Sequence, residues 1–253
     1  MKNKKKVASL LLASALMVGV PFSVSAKTAA KPALKPVPPK TVQYVALGDS
    51  LAAGQTPSGY IDYGYPDYVA SYFTANSKLY KLADFDNFGV RGYTTENVKK
   101  DLQSSKKIQK EVKEATHITI DIGANDILGV MKDPSKAQEA LAAIDANIRD
   151  ILAKIDKLNP KAKVFVMGYY NPYPYLPELE QQSIVSIVKL GNSKIEAAAK
   201  AHGDTYVPTM QIINVTKDNK FQQYLTNPAD IHLSDAGYKV VAAEFWKAIL
   251  LKK

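Results

Sequence analysis

The sequence predicts an α/β fold in which one parallel sheet is covered by helices on both faces. Short apolar runs rich in β-branched residues alternate along the chain with longer segments whose apolar residues recur every three or four positions. The length, 253 residues, is enough for one α/β domain with a sizeable core or for two small domains. No internal repeat and no second boundary after residue 40 divides the chain. We therefore expect one α/β domain over residues 41–253.

The first predicted strand is Val42–Leu47, which is β-branched and aromatic enough to be buried. It stops at Gly48, because glycine can adopt backbone angles that a side chain would forbid. Ser50 therefore follows the carboxyl end of a strand, where open α/β sheets bind their ligands. A serine there can present a nucleophilic hydroxyl, or Asp49 and Ser50 can simply cap the next helix. Taken alone, these residues favour the helix cap.

Four further apolar runs are predicted to complete the sheet. These runs are Asp84–Gly92, Thr116–Ile122, Lys163–Gly168 and Thr205–Val207. The first of them ends in a loop with Gly92, and the second is followed by a loop that contains Asn125. Because the carboxyl ends of parallel strands meet at one edge of a sheet, Ser50, Gly92 and Asn125 should lie at the same edge.

Amphipathic segments between the strands predict the covering helices. The longest is Asp133–Asn159, because its first residue can cap it, Pro134 suits its first turn and Pro160 follows its end. The other predicted helices are Tyr65–Phe73, stretches that begin near Thr94 and at Ser105, a helix from about Leu179 to His202 and one from Asp235 to about Leu251. Ser234 can cap the last helix. The tyrosine- and proline-rich segment Tyr169–Glu178 is expected to be a loop.

The N-terminus is typical of an exported protein. Four lysines precede the apolar run Val7–Val20, and small residues follow up to Ala26, after which we expect cleavage of a signal peptide, residues 1–26. The apolar run is too short for a comfortable membrane span. Residues 27–40, rich in lysine, proline and alanine, are expected to form a semi-extended linker. The protein is therefore predicted to be secreted.

The formal net charge of +9 does not indicate a nucleic-acid-binding protein. Eight lysines precede residue 41, whereas every Asp and Glu lies after it, so the predicted domain is close to neutral. No cluster of arginine and aromatic residues marks a nucleic-acid interface. The basic linker is compatible with a position near the cell wall or a membrane surface. Nothing in the sequence points to an obligate protein partner.

Cysteine is absent from the sequence, and only three histidines are present. The lack of cysteine excludes disulfides, a thiol nucleophile, a thiolate metal site and a lipid-anchored cysteine. His117 lies inside a predicted strand and His202 near the end of a predicted helix, so both are expected to be structural. No group of histidines and carboxylates has metal-ligand spacing, and we predict neither a metal nor another cofactor.

The residues expected at the sheet edge are those that acyl transfer needs. Such a site requires a hydroxyl, a base that accepts its proton, and donors aimed at the developing oxyanion. Ser50 would supply the hydroxyl and a backbone N–H, Gly92 a second N–H that no side chain obstructs, and Asn125 a side-chain amide. His232 reaches the same edge just before the last helix. The set therefore predicts a nucleophilic serine.

These motifs resemble those of the SGNH hydrolases, also called GDSL esterases or lipases. The matching blocks are Gly48–Leu51, Asn87–Gly92, Gly123–Asp126 and a last block that contains His232. Their order and spacing over roughly residues 42–250 make the resemblance far more specific than any single motif. It implies a flavodoxin-like three-layer α/β/α sandwich with a central parallel sheet, the SGNH hydrolase fold. The chain has no Gly-x-Ser-x-Gly motif, which disfavours the larger α/β-hydrolase fold.

The resemblance implies that Ser50 attacks an ester carbonyl with His232 as the base, and that an acyl-enzyme forms and is hydrolysed by water. It also implies that the oxyanion hole consists of Ser50, Gly92 and Asn125. No metal or cofactor takes part in this chemistry.

The last block departs from the family pattern in two places. The family usually has an acid three residues before the histidine, where this chain has Ala229, and it often has proline where this chain has Leu233. The nearest carboxylate is Asp230, two residues before His232. In an extended loop Asp230 could orient the imidazole, because residues two apart point the same way. Otherwise a backbone carbonyl serves, and the site is a dyad.

Several other polar residues near the blocks have a structural interpretation. Asp49 and Asp126 follow a glycine or an asparagine at a turn and are expected to hold the loops, and Asp121 is expected to be a supporting or partly buried acid. Two groups of tyrosines, within Tyr60–Tyr68 and Tyr169–Tyr175, could flank the cleft against an acyl chain or a sugar. They could equally form rigid surface loops.

The expected function is that of a secreted serine esterase or lipase, monomeric or weakly associated, acting on lipid or short-to-medium acyl esters. A polysaccharide O-acetyl esterase is the alternative among enzymes. A non-catalytic surface-binding module on the same scaffold is the alternative outside them. The joint presence of Ser50, Asn125 and His232 argues against the binding module, which does not need the three together.

Overall fold

The computed structural model describes residues 37–252. The predicted signal peptide and residues 27–36 of the predicted linker lie outside the described residues. The strands are β1 (Lys40–Gly48), β2 (Tyr80–Gly89), β3 (His117–Asp121), β4 (Lys163–Met167) and β5 (Thr205–Val207). Within the described part of the chain they form one sheet in the order β2-β1-β3-β4-β5, and all neighbouring pairs are parallel. This is the flavodoxin-like strand order, so the predicted fold class is confirmed.

Two groups of helices cover the sheet. The first group consists of α1 (Tyr65–Ala75) and α9 (Asp235–Leu251), which pack against each other. The second consists of α2 (Thr95–Ser104), α3 (Lys106–Glu114), α4 (Ala124–Lys132), α5 (Ala137–Leu158) and α6 (Glu178–Ala201). Helix α5 contacts the other four of this group. Two short helices, α7 (Met210–Ile213) and α8 (Phe221–Tyr224), precede α9. Among residues 37–252, no helix is long and apolar enough to cross a membrane.

The hydrophobic periodicity explains which helix faces are buried. On α5, Ile144, Ile148, Ile151 and Ile155 recur every three or four positions, and each is at most 1% exposed. They join the apolar side chains of β1, β3 and β4 in one continuous core. Burial of this stripe, rather than intrinsic helix propensity, is what stabilises so long a helix.

One predicted loop is a helix. Residues 124–126 were expected to be a loop, but α4 begins at Ala124. Gly123 has φ of +121°, a backbone conformation that favours glycine, so the chain turns from β3 directly into the helix. The carboxylate of Asp126 then accepts hydrogen bonds from the backbone N–H and hydroxyl of Thr95 at 3.0 and 2.7 Å. This long-range contact holds the first turn of α4 in place.

Two predicted elements begin four residues away from their observed starts. The helix expected from Asp133 begins at Ala137, because Asp133 ends α4 and a 3₁₀ turn occupies Pro134–Lys136. The strand expected within Asp84–Gly92 begins earlier and spans Tyr80–Gly89, and Gly92 lies in the loop that follows it, as expected. Its first four residues alternate between half-buried and exposed, so they lack the apolar pattern of a buried strand.

The strand order fixes where the functional residues meet. From β1 the chain moves outward to β2 and then crosses back to β3, on the other side of β1. Ligands of open α/β sheets bind at such a reversal of strand order, beyond the carboxyl ends of the strands. Ser50 follows β1 and Asn125 follows β3, so the two residues lie on either side of this point.

Candidate active site

Ser50 lies on the turn after β1, with its hydroxyl against an imidazole. Its Oγ is 2.9 Å from Nε2 of His232, although 182 positions separate the two residues. Both are largely shielded, at 7% and 8% exposed. The loop that carries His232 leads into α9, whose first turn is capped by the Ser234 hydroxyl. The structure thus brings together the predicted hydroxyl and the predicted base.

Asp230 faces the other nitrogen of the same imidazole. Its Oδ1 accepts the backbone N–H of His232 at 2.8 Å and lies 2.8 Å from Nδ1 of the ring. An Nδ1–H that donates to this carboxylate leaves the lone pair of Nε2 directed at Ser50. The spacing of two residues therefore suffices, because the carboxylate folds back on the backbone of His232.

Gln55 adjoins this imidazole and contacts Arg91 in turn, and neither residue was singled out from the sequence. Nε of Arg91 donates to Oε1 of Gln55 at 2.6 Å, and Nε2 of Gln55 is 3.3 Å from Nδ1 of His232. Since the guanidinium can only donate, the amide nitrogen of Gln55 is the end that faces the ring. With the Nδ1 hydrogen directed at Asp230, this approach is a packing contact and not a hydrogen bond. Arg91 lies inside the second block, but Gln55 belongs to no recognisable motif, so only its nearness to Ser50 in the sequence could have drawn attention to it.

Asp49 holds the turn that carries Ser50. Its Oδ1 accepts the backbone N–H of Leu51 at 2.9 Å, and its Oδ2 accepts the hydroxyl of Tyr169 at 2.8 Å. The residue is 1% exposed, and burial raises the pKa of its carboxyl. These contacts agree with the loop-holding role expected for Asp49.

Asp121, at the end of β3, supports the same turn from the neighbouring strand. Its Oδ2 accepts the backbone N–H of Ala52 at 3.2 Å, and its Oδ1 accepts the hydroxyl of Tyr65 at 2.8 Å. Burial and the adjacent Asp49 carboxyl raise the pKa of Asp121 well above its usual range. The strands approach closely here, because a Cβ on Gly48 would lie 2.6 Å from the carbonyl oxygen of Asp121. The pair favours retention of a proton over two buried charges.

Asn125 lies in the first turn of α4 and borders the same cavity as Ser50. Its Nδ2 donates to the carbonyl oxygen of Tyr93 at 2.8 Å. An amide nitrogen carries two hydrogens, so one N–H remains for another acceptor. The hydrogen bond to Tyr93 fixes the plane of the amide.

Gly92 lies in the loop between β2 and α2. Its φ is +76°, and it is exposed. Its neighbour Tyr93 contacts Asn125, but within residues 37–252 Gly92 itself does not belong to the lining of the cavity. Its role as an oxyanion donor therefore stays a prediction.

A small apolar cavity adjoins the serine and the imidazole. Its volume is about 40 Å³, and its lining includes the polar residues Asp49, Ser50, Asn125 and His232. The remaining wall is mostly apolar and includes Ile127, Leu128, Tyr169, Tyr170, Pro172 and Val188. An apolar cavity with a few convergent polar groups at one end is the usual form of a small-molecule site.

The tyrosines divide between the cavity, the core and the surface. Tyr169 and Tyr170 line the cavity, and the Tyr170 hydroxyl donates to the carbonyl oxygen of Ile231 at 2.8 Å. Tyr60 and Tyr63 are 75% and 60% exposed. In contrast, Tyr65 is buried with its ring stacked on Phe245. Thus, among the described residues, the tyrosines that line the cavity are Tyr169 and Tyr170 of the second predicted group.

The other two histidines lie away from this site. His117 is 6% exposed among aromatic rings, and burial, with the charges of Lys163 and Lys40, lowers its pKa to about 4. Nδ1 of His202 is 2.7 Å from a carboxylate oxygen of Asp156. Both contacts agree with the structural roles expected for these residues.

One group of carboxylates was not predicted from the spacing of residues in the sequence. Asp84, Asp86 and Glu111 bring carboxylate oxygens within 4.8 Å of one another. Lys107 Nζ lies 3.4 Å from Asp86, and Lys110 Nζ lies 2.9 Å from Glu111. These lysines offset part of the negative charge, and the cluster combines β2 with α3, so no motif could have revealed it.

Comparison with known proteins shows which proteins this chain is similar to. The family model of the GDSL-like lipase/acylhydrolases matches residues 46–240. The uncharacterized protein YpmR of Bacillus subtilis (strain 168) is 26% identical over 221 residues, which cover 83% of each chain.

Two solved structures are similar in fold. The lipase Lip_vut3 from a goat rumen metagenome has a TM-score of 0.67 and 23% identity, over 82% of this chain and 97% of that chain. A variant of Axe2, an acetyl xylan esterase from Geobacillus stearothermophilus, has a TM-score of 0.62 and 18% identity, over 84% and 96%. Because the family model covers well over half of the residues, the chain belongs to the GDSL-like lipase/acylhydrolase family.

Proposed function

We propose that this protein is a serine ester hydrolase that forms an acyl-enzyme on Ser50. The observation that carries the proposal is the 2.9 Å approach of the Ser50 hydroxyl to Nε2 of His232, with Asp230 at the opposite nitrogen. The three groups stand in the order of nucleophile, base and orienting acid that acyl transfer uses on several unrelated folds. Family membership supports the same reaction class.

In the proposed reaction, Ser50 Oγ attacks the ester carbonyl while His232 Nε2 accepts its proton. Asp230 stabilises the imidazolium, which then gives this proton to the leaving alcohol. The oxyanion receives hydrogen bonds from the backbone N–H groups of Ser50 and Gly92 and from the free N–H of Asn125. Water, activated by the same imidazole, hydrolyses the acyl-enzyme and restores Ser50.

The cavity favours a short acyl group. At about 40 Å³ it has room for about three water-sized groups, since a water needs about 10–15 Å³ of such volume. Its apolar wall suits a hydrocarbon chain and offers nothing to a charged acyl group. Among lipid and short-to-medium acyl esters, we therefore propose that the short ones are the better substrates.

Removal of O-acetyl groups from a polysaccharide is the second candidate function. The size of the cavity suits an acetyl group, and the fold is similar to that of the acetyl xylan esterase named above. Release of acetate from acetylated xylan faster than hydrolysis of simple acetate esters would favour this candidate. The non-catalytic binding module gains no support from any contact at the site.

We also propose that the protein acts outside the cell. The lysines and apolar run of residues 1–26 support export, and the basic linker supports a position near the cell wall or a membrane surface. Fractionation of the producing cell tests this proposal, and recovery of the full-length chain from the cytoplasm alone would contradict it.

The test of the function is hydrolysis of p-nitrophenyl acetate, butyrate, octanoate and palmitate by the purified protein. Ser50→Ala should lower kcat at least about 10³-fold, because the nucleophile is lost, with an unchanged circular dichroism spectrum. Ser104→Ala, which alters an exposed helix serine far from the site in sequence, is the matched control and should keep the wild-type rate. A fluorophosphonate should label Ser50 in the wild type.

Two results would contradict the proposal. Wild-type rates in Ser50→Ala would show that another group is the nucleophile. No turnover of any ester by a correctly folded protein would favour a binding role.

A further inference from the structure

Gly191 is a glycine in the middle of α6, where glycine is a poor helix former. It is buried and faces Ile127 of α4. A Cβ on Gly191 would lie 2.5 Å from Cδ1 and 3.2 Å from Cγ1 of Ile127. Carbon atoms in contact are normally about 3.5–4.0 Å apart. The position therefore admits no side chain unless Ile127 moves.

Ile127 is also part of the cavity beside Ser50. It is 3% exposed, and it lines the cavity together with Val188, which precedes Gly191 on α6 by about one turn. The contact between α4 and α6 thus forms part of the wall of the cavity, and Gly191 faces Ile127 across this contact. Ile127 already borders the free volume of the cavity. A side chain at position 191 would therefore push Ile127 towards the cavity.

We infer that Gly191 is a specificity-determining residue that sets the length of acyl group accepted beside Ser50. This inference rests on the proposed ester hydrolysis. With glycine at 191, Cδ1 of Ile127 packs against the backbone of α6, and the cavity keeps its full depth. With any larger residue, that methyl group enters a cavity with room for only about three water-sized groups. The substrates that fit are esters of linear saturated acids with two to four carbons.

The experiment compares kcat/KM for p-nitrophenyl acetate and p-nitrophenyl butyrate in the wild type and in Gly191→Ala. The butyrate-to-acetate ratio should fall about tenfold or more, because one methylene in an apolar pocket changes kcat/KM by about 10- to 200-fold. The acetate value should fall much less than the butyrate value, because an acetyl group is two methylenes shorter and reaches less far into the cavity.

Two further variants sharpen the comparison. Ile127→Val removes Cδ1, the nearest atom that the new Cβ would meet, so the double variant should return the ratio to within about twofold of the wild type. Ile127→Val alone should raise the ratio. Gly129→Ala is the matched control on α4, because a Cβ there has no heavy atom within 4 Å among the described residues, and it should leave the ratio unchanged.

The outcomes separate this inference from the proposed function. A folded Gly191→Ala protein with the wild-type ratio would overturn the inference and leave the esterase in place. If Gly191→Ala does not fold, Ile127→Val decides, and a ratio that does not rise overturns it. A wild-type protein without Ser50-dependent turnover of either ester would overturn the proposed function, and the acyl assignment with it.

Discussion

Replacement of His117 by phenylalanine should remove a defined part of the acid sensitivity of this fold. The imidazole is the first side chain of β3, with its ring centroid 5.1 Å from that of Phe73 and stacked on Phe165 at 6.3 Å. Burial first, and then the charges of Lys163 and Lys40, lower its pKa from 6.5 to about 4. A phenylalanine ring suits this aromatic surrounding and does not titrate.

The sign follows from the two states of the chain. His117 takes up a proton near pH 6.5 when unfolded, but only near pH 4 when folded. As the pH falls through this interval, the unfolded state gains the proton first, so the free energy of unfolding decreases by about 1.4 kcal/mol per pH unit. Because of His117, the free energy of unfolding is therefore about 3 kcal/mol higher above pH 6.5 than below pH 4.

Urea unfolding of the wild type and of His117→Phe at about pH 7.5 and pH 4.5 measures this effect. Between about pH 7.5 and pH 4.5, the free energy of unfolding of the variant should rise by about 2.5 kcal/mol relative to that of the wild type. The contributions of other groups that titrate in this pH interval cancel in the difference between the two proteins. Tyr80→Phe is the control, because it alters a ring packed near His117 and leaves the imidazole in place. A difference between wild type and His117→Phe that does not change with pH would refute the reasoning.

Three further substitutions test single contacts. Asp230→Asn should lower kcat by about 10²–10⁴-fold, because an amide no longer favours Nδ1–H on His232; a mild effect in steady-state assays would favour a dyad. Asn125→Ala should lower kcat by about a hundredfold or more, since an oxyanion donor is lost, whereas an unchanged kcat would show that the amide points elsewhere. Asp204→Asn should raise the free energy of unfolding at pH 7 by about 1–2 kcal/mol, because burial and Asp156 raise the pKa of Asp204 to about 6. This pKa lies above the unfolded value, so the cost grows as the pH rises from about 4 to 6, and a gain that persists in urea unfolding below pH 4 would contradict it.

The elements that the sequence predicted well are those with a local signal. The strand Thr205–Val207 was predicted to the residue, because Pro208 follows it. The last helix was predicted from Asp235 to about Leu251, as observed, because it has a serine cap and an apolar stripe. Helix α4 was missed, since its first residues, Ala124–Asp126, follow a glycine and resemble a turn. Its start depends on the distant contact between Asp126 and Thr95. Contacts between residues far apart in the chain leave no periodic pattern.

The residue types of the candidate site were evident from the order of the sequence blocks. That order is enough to select Ser50, Asn125 and His232, because parallel strands deliver their carboxyl ends to one edge. It could not decide whether Asp230 faces the imidazole, since this depends on the path of a short loop. It also gave no reason to select Gln55, whose contact with His232 spans 177 positions.

By itself, the sequence determined the fold class, the family and the kind of chemistry, because the alternation of strand and helix periodicity and the order of the motifs can be read directly from the order of the residues. Only the tertiary structure decided the 2.8 Å contact of Asp230 with Nδ1 and the close approach of Gly191 to Ile127. Both depend on how loops and helices pack in three dimensions. Packing sets distances to a few tenths of an ångström, and substitutions far along the chain can alter them, whereas a sequence pattern records only which faces are apolar.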